Sequence, residues 1–187
     1  MDIVRIFEDD NDCLLSFLYD EYGRSEFERL FSEWRDIEKL EKFFSENEYD
    51  LKNSYWKGLT TEKAIRSVLD EVKFLAECFI HINSLSKEER VKSFLELFKP
   101  LDREFRSEDL FERKKVYGGL KKNLLRIYAL RIGKDMYIIT GGTIKLTKKM
   151  QDREHTRREL RKFDKCKQFL INEGIYDEYG VLDVLEC

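Results

Sequence analysis

LLRIYALRIGKDMYIITGGTIKLTKK, residues 124–149, decides the fold. LLRIYALRI is apolar and rich in branched side chains, and it reads as a strand. Gly133-Lys134-Asp135 reads as a turn and MYIIT as the next strand. Gly141-Gly142 then reads as a two-residue hairpin turn, because both central residues tolerate positive φ, and TIKLT as a third strand. Residues 124–147 are therefore expected to form a three-stranded antiparallel meander.

Outward from it, the stretch DIVRIFED reads as a short strand, and CLLSFLYDEY is a candidate partner strand, with DDND as the turn. Ser25 and Glu28 form a capping box that opens a helix. Phe27, Leu30, Phe31, Trp34, Ile37, Leu40 and Phe44 give that helix one continuous apolar stripe. A second helix follows Thr60 or Thr61, with Val68, Val72, Leu75 and Phe79 on its buried side and His81 partly buried near its end. A third opens at Ser86, boxed by Glu89, and ends before Pro100. Residues 100–123 read as a loop. A last helix begins near His155 or Thr156, with Thr156 and Glu159 as a capping box, and Gly174 ends it. The order predicts an α+β fold: an antiparallel sheet, made of the meander plus an N-terminal strand or hairpin, packed against several helices.

The 187 residues fit a single domain over 1–187. No apolar run approaches the roughly 18 residues of a membrane span, and MDIVRIFEDD does not have the form of a signal peptide. A cytoplasmic protein without membrane attachment is expected. The four cysteines, Cys13, Cys78, Cys166 and Cys187, form no CxxC pair, and there are two histidines, so no metal site is expected.

The net charge of -3 hides an asymmetry. Residues 1–110, acidic and mostly helical, carry 17 Lys and Arg against 27 Asp and Glu, a balance of -10. Residues 111–172, the basic meander and helix, carry 18 against 6, a balance of +12. Residues 173–187 are an acidic tail with five acids and no base. A basic segment flanked by acid points to a polyanionic partner.

Within that segment Arg126 and Tyr128 share one face of their strand, and Lys145 lies opposite Ile144 and Leu146. Lys148 and Lys149 leave the strand end, and Arg153 and His155 follow. On the last helix Arg157, Arg161 and Lys165 form one row, with Arg158 and Lys162 beside it. Two rows of cations suit an RNA backbone, and Tyr128 and Tyr137 are candidate stacking surfaces for unpaired bases. RNA carries its own nucleophile, the 2′-hydroxyl. Lys and Arg stabilise charge on the phosphate, and His155, the one histidine of the segment, is the sharpest candidate acid or base.

The stretch LRIYALRIGKDMYIITGGTIKLTKKMQDREHTRRELRKFDKCKQFL resembles the C-terminal half of the RelE/HigB superfamily of bacterial toxins, particularly its phage Gp49-like branch. The shared pattern is "LR" at Leu130-Arg131, "KK" at Lys148-Lys149, and an early helix glutamate at Glu159. The resemblance covers about a quarter of the chain. It implies helices on one face of an antiparallel sheet, here with a helical N-terminal elaboration. It further implies mRNA endonuclease activity, usually on translating ribosomes, with no metal or organic cofactor, and inhibition by a cognate antitoxin, expected to be of the helix-turn-helix type. By position it carries over Arg131, Lys148 and Lys149 as the phosphate-holding, transition-state-stabilising residues; Arg126, Tyr128, Lys145 and His155 are added to them from the strand and helix geometry, with His155 or Tyr128 assisting proton transfer. The alternatives are a non-catalytic nucleic-acid-binding or regulatory protein, and a protein-interaction module that uses the same basic face.

Overall fold

The computed structural model describes residues 1–7, 12–53, 55–101, 110–119 and 123–186. Residues 9–11 of the proposed DDND turn and part of the 100–123 loop lie outside these. The elements are β1 (Asp2–Arg5), β2 (Leu14–Leu18), α1 (Glu26–Glu33), α2 (Ile37–Glu46), α3 (Glu48–Asn53), α4 (Thr61–Asn83), α5 (Lys87–Leu97), β3 (Lys99–Pro100), β4 (Glu112–Tyr117), β5 (Leu125–Ile132), β6 (Met136–Ile144), α6 (Glu154–Asn172) and α7 (Glu178–Leu185). A single 3-10 turn, Met150–Asp152, joins β6 to α6.

The fold is α+β. The six strands run in the order β1-β2-β6-β5-β4-β3. The sheet is mixed rather than wholly antiparallel: β2 pairs parallel to β6, with Leu14 opposite Tyr137 and Ser16 opposite Ile139, while the other pairs are antiparallel. Parallel neighbours need both faces covered, and both are. On one face Leu30, Phe44, Val72, Phe79 and Phe94 pack on Ile127, Ala129 and Ile139. On the other, Phe163, Cys166, Leu170 and Val181 pack on Tyr128, Leu130 and Ile138. The expectation of helices on one face only is thereby corrected.

A meander exists, but one element upstream of its expected place. It is β4-β5-β6, and β4 lies in the stretch read as a loop. Gly141-Gly142 is no hairpin turn, and the first residues of TIKLT continue β6. The register between β5 and β6 shifts once: Tyr128 faces Gly141 and Ala129 faces Ile139, so Thr140 is the extra residue of a bulge. The two glycines serve close contacts instead. A Cβ on Gly142 would lie 2.8 Å from both the Leu30 and Trp34 side chains, and one on Gly141 would overlap the Glu159 carboxylate.

Capping decides most helix ends. Ser25 and Glu28 exchange bonds at α1 (3.0 and 3.2 Å), Ser86 and Glu89 at α5 (3.3 and 3.4 Å), and the Thr60 hydroxyl accepts from Lys63 N at α4. The helix expected from Ser25 to Phe44 is two helices. Asp36 accepts from Lys39 N at 3.1 Å, starting α2 afresh and leaving Ile37 53 % exposed. The Thr156–Glu159 box does not form. Arg153 is the residue before the helix, Thr156 donates to the Met150 and Arg153 carbonyls, and Glu159 is buried. Gly174, at φ +71°, closes α6 as expected. His81 is exposed. The acidic tail contains α7, whose Val181 is buried and whose Glu178 accepts from Lys134 N in the β5–β6 turn.

Candidate nucleic-acid interface

The end of β6 brings three of the expected cations together. A cleft of about 470 Å³ is lined by Arg126, Lys145 and Lys148 with Tyr55, Trp56, Tyr117 and Asn123, and among the described residues no carboxylate lines it. The parity of the strands explains the set. Beyond the Thr140 bulge, Arg126 pairs with Thr143 and with Tyr117, so these residues and Lys145 share the face on which α6 also lies. The loop between α3 and α4 supplies the other wall. Trp56 donates its indole N–H to the Lys145 carbonyl at 3.2 Å, and Tyr55, 54 % exposed, packs edge-on against Trp56.

Arg126 is fixed. Its guanidinium lies 4.2 Å from the centre of the Tyr117 ring and donates to the Leu125 carbonyl at 2.6 Å, the Asn123 carbonyl at 3.0 Å and the Asn123 side chain. Burial lowers its pKa from the ordinary arginine value. The Lys145 ammonium makes no ion pair among the described residues. Burial lowers its pKa, and the neighbouring Arg126 and Lys115 charges lower it further. An anion entering the cleft relieves that repulsion. Lys148 is exposed at the rim, and Lys149, also exposed, follows it outside the lining.

The remaining candidates do not converge on this cleft. Arg131 sits at the opposite end of β5, five residues from Arg126 and so about 17 Å away at the usual strand rise. There it donates to the Lys134 carbonyl (2.7 Å) and approaches Glu112 (3.5 Å). Tyr128 and Tyr137 offer no stacking surface, since both rings are buried, against Phe163 and Phe98 respectively. Burial raises the Tyr128 pKa, so its hydroxyl is a poor proton-transfer group here. Arg153 is clamped on Asp50 through two nitrogens, one at 2.7 Å. Arg157 and Arg161 both pair with Glu154, and Lys165 lies 3.9 Å from Glu21.

Lys162 leaves the expected cationic row altogether. It is 8 % exposed and bridges Glu26 (2.5 Å) and Glu159 (3.3 Å), sharing Glu26 Oε1 with Arg29, which also donates to Oε2. Helical spacing places Lys162 beside Arg158, but it does not reveal that α1 covers that position with a carboxylate. Burial pushes the Glu159 pKa up to about 7, against the lowering by Lys162.

His155 lines a second, smaller pocket of about 260 Å³ among α1, α2 and α6, together with Arg29, Glu33, Lys39, Arg158 and Glu159. Its Nε2 lies 3.1 Å from the Ile144 carbonyl, which only accepts, so Nε2 carries the proton. Its ring stands edge-on to Phe43, and burial lowers its pKa.

Tyr55, Trp56, Tyr117 and Glu159 were not anticipated as site residues. The one local signal for the first two is an adjacent Tyr-Trp pair inside the polar stretch KNSYWKG. Among the described residues no group of three or more His, Cys, Asp or Glu is placed to hold a metal ion, and no helix is long and apolar enough to cross a membrane. No protein-family description, curated protein or solved structure matches this chain.

Proposed function

We propose that the protein is a toxin-type RNA endonuclease that holds single-stranded RNA in the cleft of Arg126, Lys145 and Lys148. The observation that carries this reading is the cleft itself: three cations and aromatic side chains at the wall, in one cavity, with no carboxylate among the described residues that line it. Cations suit phosphate, and aromatic faces suit unpaired bases of any sequence. In the reaction the 2′-oxygen attacks the adjacent phosphorus and the bond to the 5′-oxygen breaks, the leaving 5′-oxygen taking a proton from solvent at the open cleft mouth, which gives a 2′,3′-cyclic phosphate and a 5′-hydroxyl. Lys145, whose environment favours its neutral form more than usual, takes the 2′-hydroxyl proton. Arg126 and Lys148 hold the charge that develops on the phosphate. The cycle written this way calls on no metal or organic cofactor. Messenger RNA on the ribosome is the substrate this reading assigns, and a helix-turn-helix antitoxin is its natural inhibitor.

RNA binding without cleavage is the second reading. Burial of Tyr128, the distance to Arg131 and the engagement of His155 Nε2 favour it, because they remove three groups from the chemistry. Inducible expression in a bacterial host, wild type beside Lys145→Ala, separates the two. The endonuclease reading expects growth arrest and new mRNA 5′ ends in the wild type, both lost in a soluble variant. Intact mRNA at high levels of wild-type protein contradicts it.

A further inference from the structure

The pocket that holds His155 has a charge balance unlike that of an ordinary buried ion cluster. Its floor is neutralised: Arg29 is bound to Glu26 and Glu33 at 2.6 and 2.5 Å, and Lys162 to Glu26 and Glu159. Its mouth is not. Arg158 is exposed and makes no ion pair among the described residues, and Lys39 has only a 4.0 Å approach to Glu33. The pocket also adjoins the cleft along the chain. Ile144, whose carbonyl His155 holds, lines the pocket, and the next residue, Lys145, lines the cleft. The two cavities flank the end of a single strand.

We infer that the mouth of this pocket, where Arg158 and Lys39 stand beside His155, is a second phosphate subsite for the same RNA strand, held by the two cations, and that the strand passes over the end of β6 between the two cavities. This inference rests on the RNA-binding reading of the cleft. The geometry favours a strand over a free anion because adjacent strands stand only about 5 Å apart. Cavities on the two sides of one strand are separated by about two strand spacings, roughly 10 Å, which a short run of nucleotides can span. The pocket is below the usual size of a site for a whole small-molecule ligand, about 300 Å³ upward, and its volume of about 260 Å³ suits one nucleotide unit.

The test is a length series of fluorescein-labelled oligouridylates of two, four and eight nucleotides, titrated by anisotropy at low salt. The proteins are wild type, Arg158→Ala and, as a control for net charge, Arg157→Ala, whose side chain is paired with Glu154. The expected result is an eight-nucleotide ligand that binds the wild type at least tenfold more tightly than the dinucleotide. Arg158→Ala should remove most of that gain, leave the dinucleotide affinity unchanged, and reduce the salt slope by about 0.7, the share of one phosphate contact on a single strand. Arg157→Ala should keep the gain. Equal losses in the two variants, or a full length gain in Arg158→Ala, overturn the second subsite while the cleft reading stands. No binding of any length to the wild type overturns the cleft reading itself.

Discussion

The Glu159 carboxylate of α6 occupies the space that a side chain at Gly141 of β6 would need. This contact joins the basic helix to the strand that ends in the cleft. Gly141→Ala has no inexpensive way out, because Glu159 is 5 % exposed and held by Lys162. The expected loss is about 2–3 kcal/mol, the range for overpacking a filled site. A urea melt checks it, with Gly119→Ala as the comparison, since a Cβ there meets nothing within 4 Å.

Glu159 also sets a pH dependence. Its folded pKa of about 7 lies above the ordinary 4.5, chiefly through burial, with Glu26 adding to the rise and Lys162 and Arg29 opposing it. Below about pH 4.5 the group is protonated in both states and its favourable contribution is complete. As pH rises toward 7 the unfolded chain has lost the proton that the folded chain still holds, so stability falls. The difference of about 2.5 pKa units corresponds to roughly 3 kcal/mol. Chemical denaturation from pH 4.5 to 8 should show this decline in the wild type and a flatter profile in Glu159→Gln. Identical profiles would assign the decline to other groups.

The Arg153–Asp50 clamp fastens the start of α6 to α3. Asp50 is 4 % exposed, so Arg153→Ala takes the guanidinium from a buried carboxylate. A loss of about 2 kcal/mol is expected, below the roughly 3–5 kcal/mol for breaking a fully buried pair because Arg153 itself is partly exposed. Asp50→Asn in the same background should recover part of it. The denaturation midpoints of the three proteins give the answer.

Local chemistry was legible in the sequence where a residue acts on its near neighbours. The boxes at Ser25–Glu28 and Ser86–Glu89, the Thr60 cap and the Gly174 stop all stand where their spacing places them. The readings that failed depend on partners far along the chain. Gly141-Gly142 has the composition of a hairpin turn, yet its reason is the approach of Leu30, Trp34 and Glu159. Lys162 follows the row of Arg158 by helical spacing, but Glu26 lies 136 residues away and draws it inward. β4, with sequence ERKKVY, looks like loop because most of its side chains are polar, even though Lys114 and Val116 are buried. For the candidate site, Arg126, Lys145 and Lys148 are legible as cations of the basic segment, but not as one group: the sequence places Lys148 with Arg131 and Lys149, and only the fold sets it beside Arg126 and Lys145. Tyr55 and Trp56 escaped because only the fold brings the α3–α4 loop to the end of β6.

The central claim is that the RNA site lies at the Lys145 end of the sheet and not at the Arg131 end. The most direct measurement is cleavage and binding of a labelled single-stranded RNA by purified wild type, Lys145→Ala and Arg131→Ala, with circular dichroism to confirm that each is folded. The account predicts that Lys145→Ala loses cleavage and at least tenfold in affinity, while Arg131→Ala stays within about twofold of the wild type, the scatter expected of a remote surface change. Loss of both activities in Arg131→Ala, with Lys145→Ala unaffected, would contradict it.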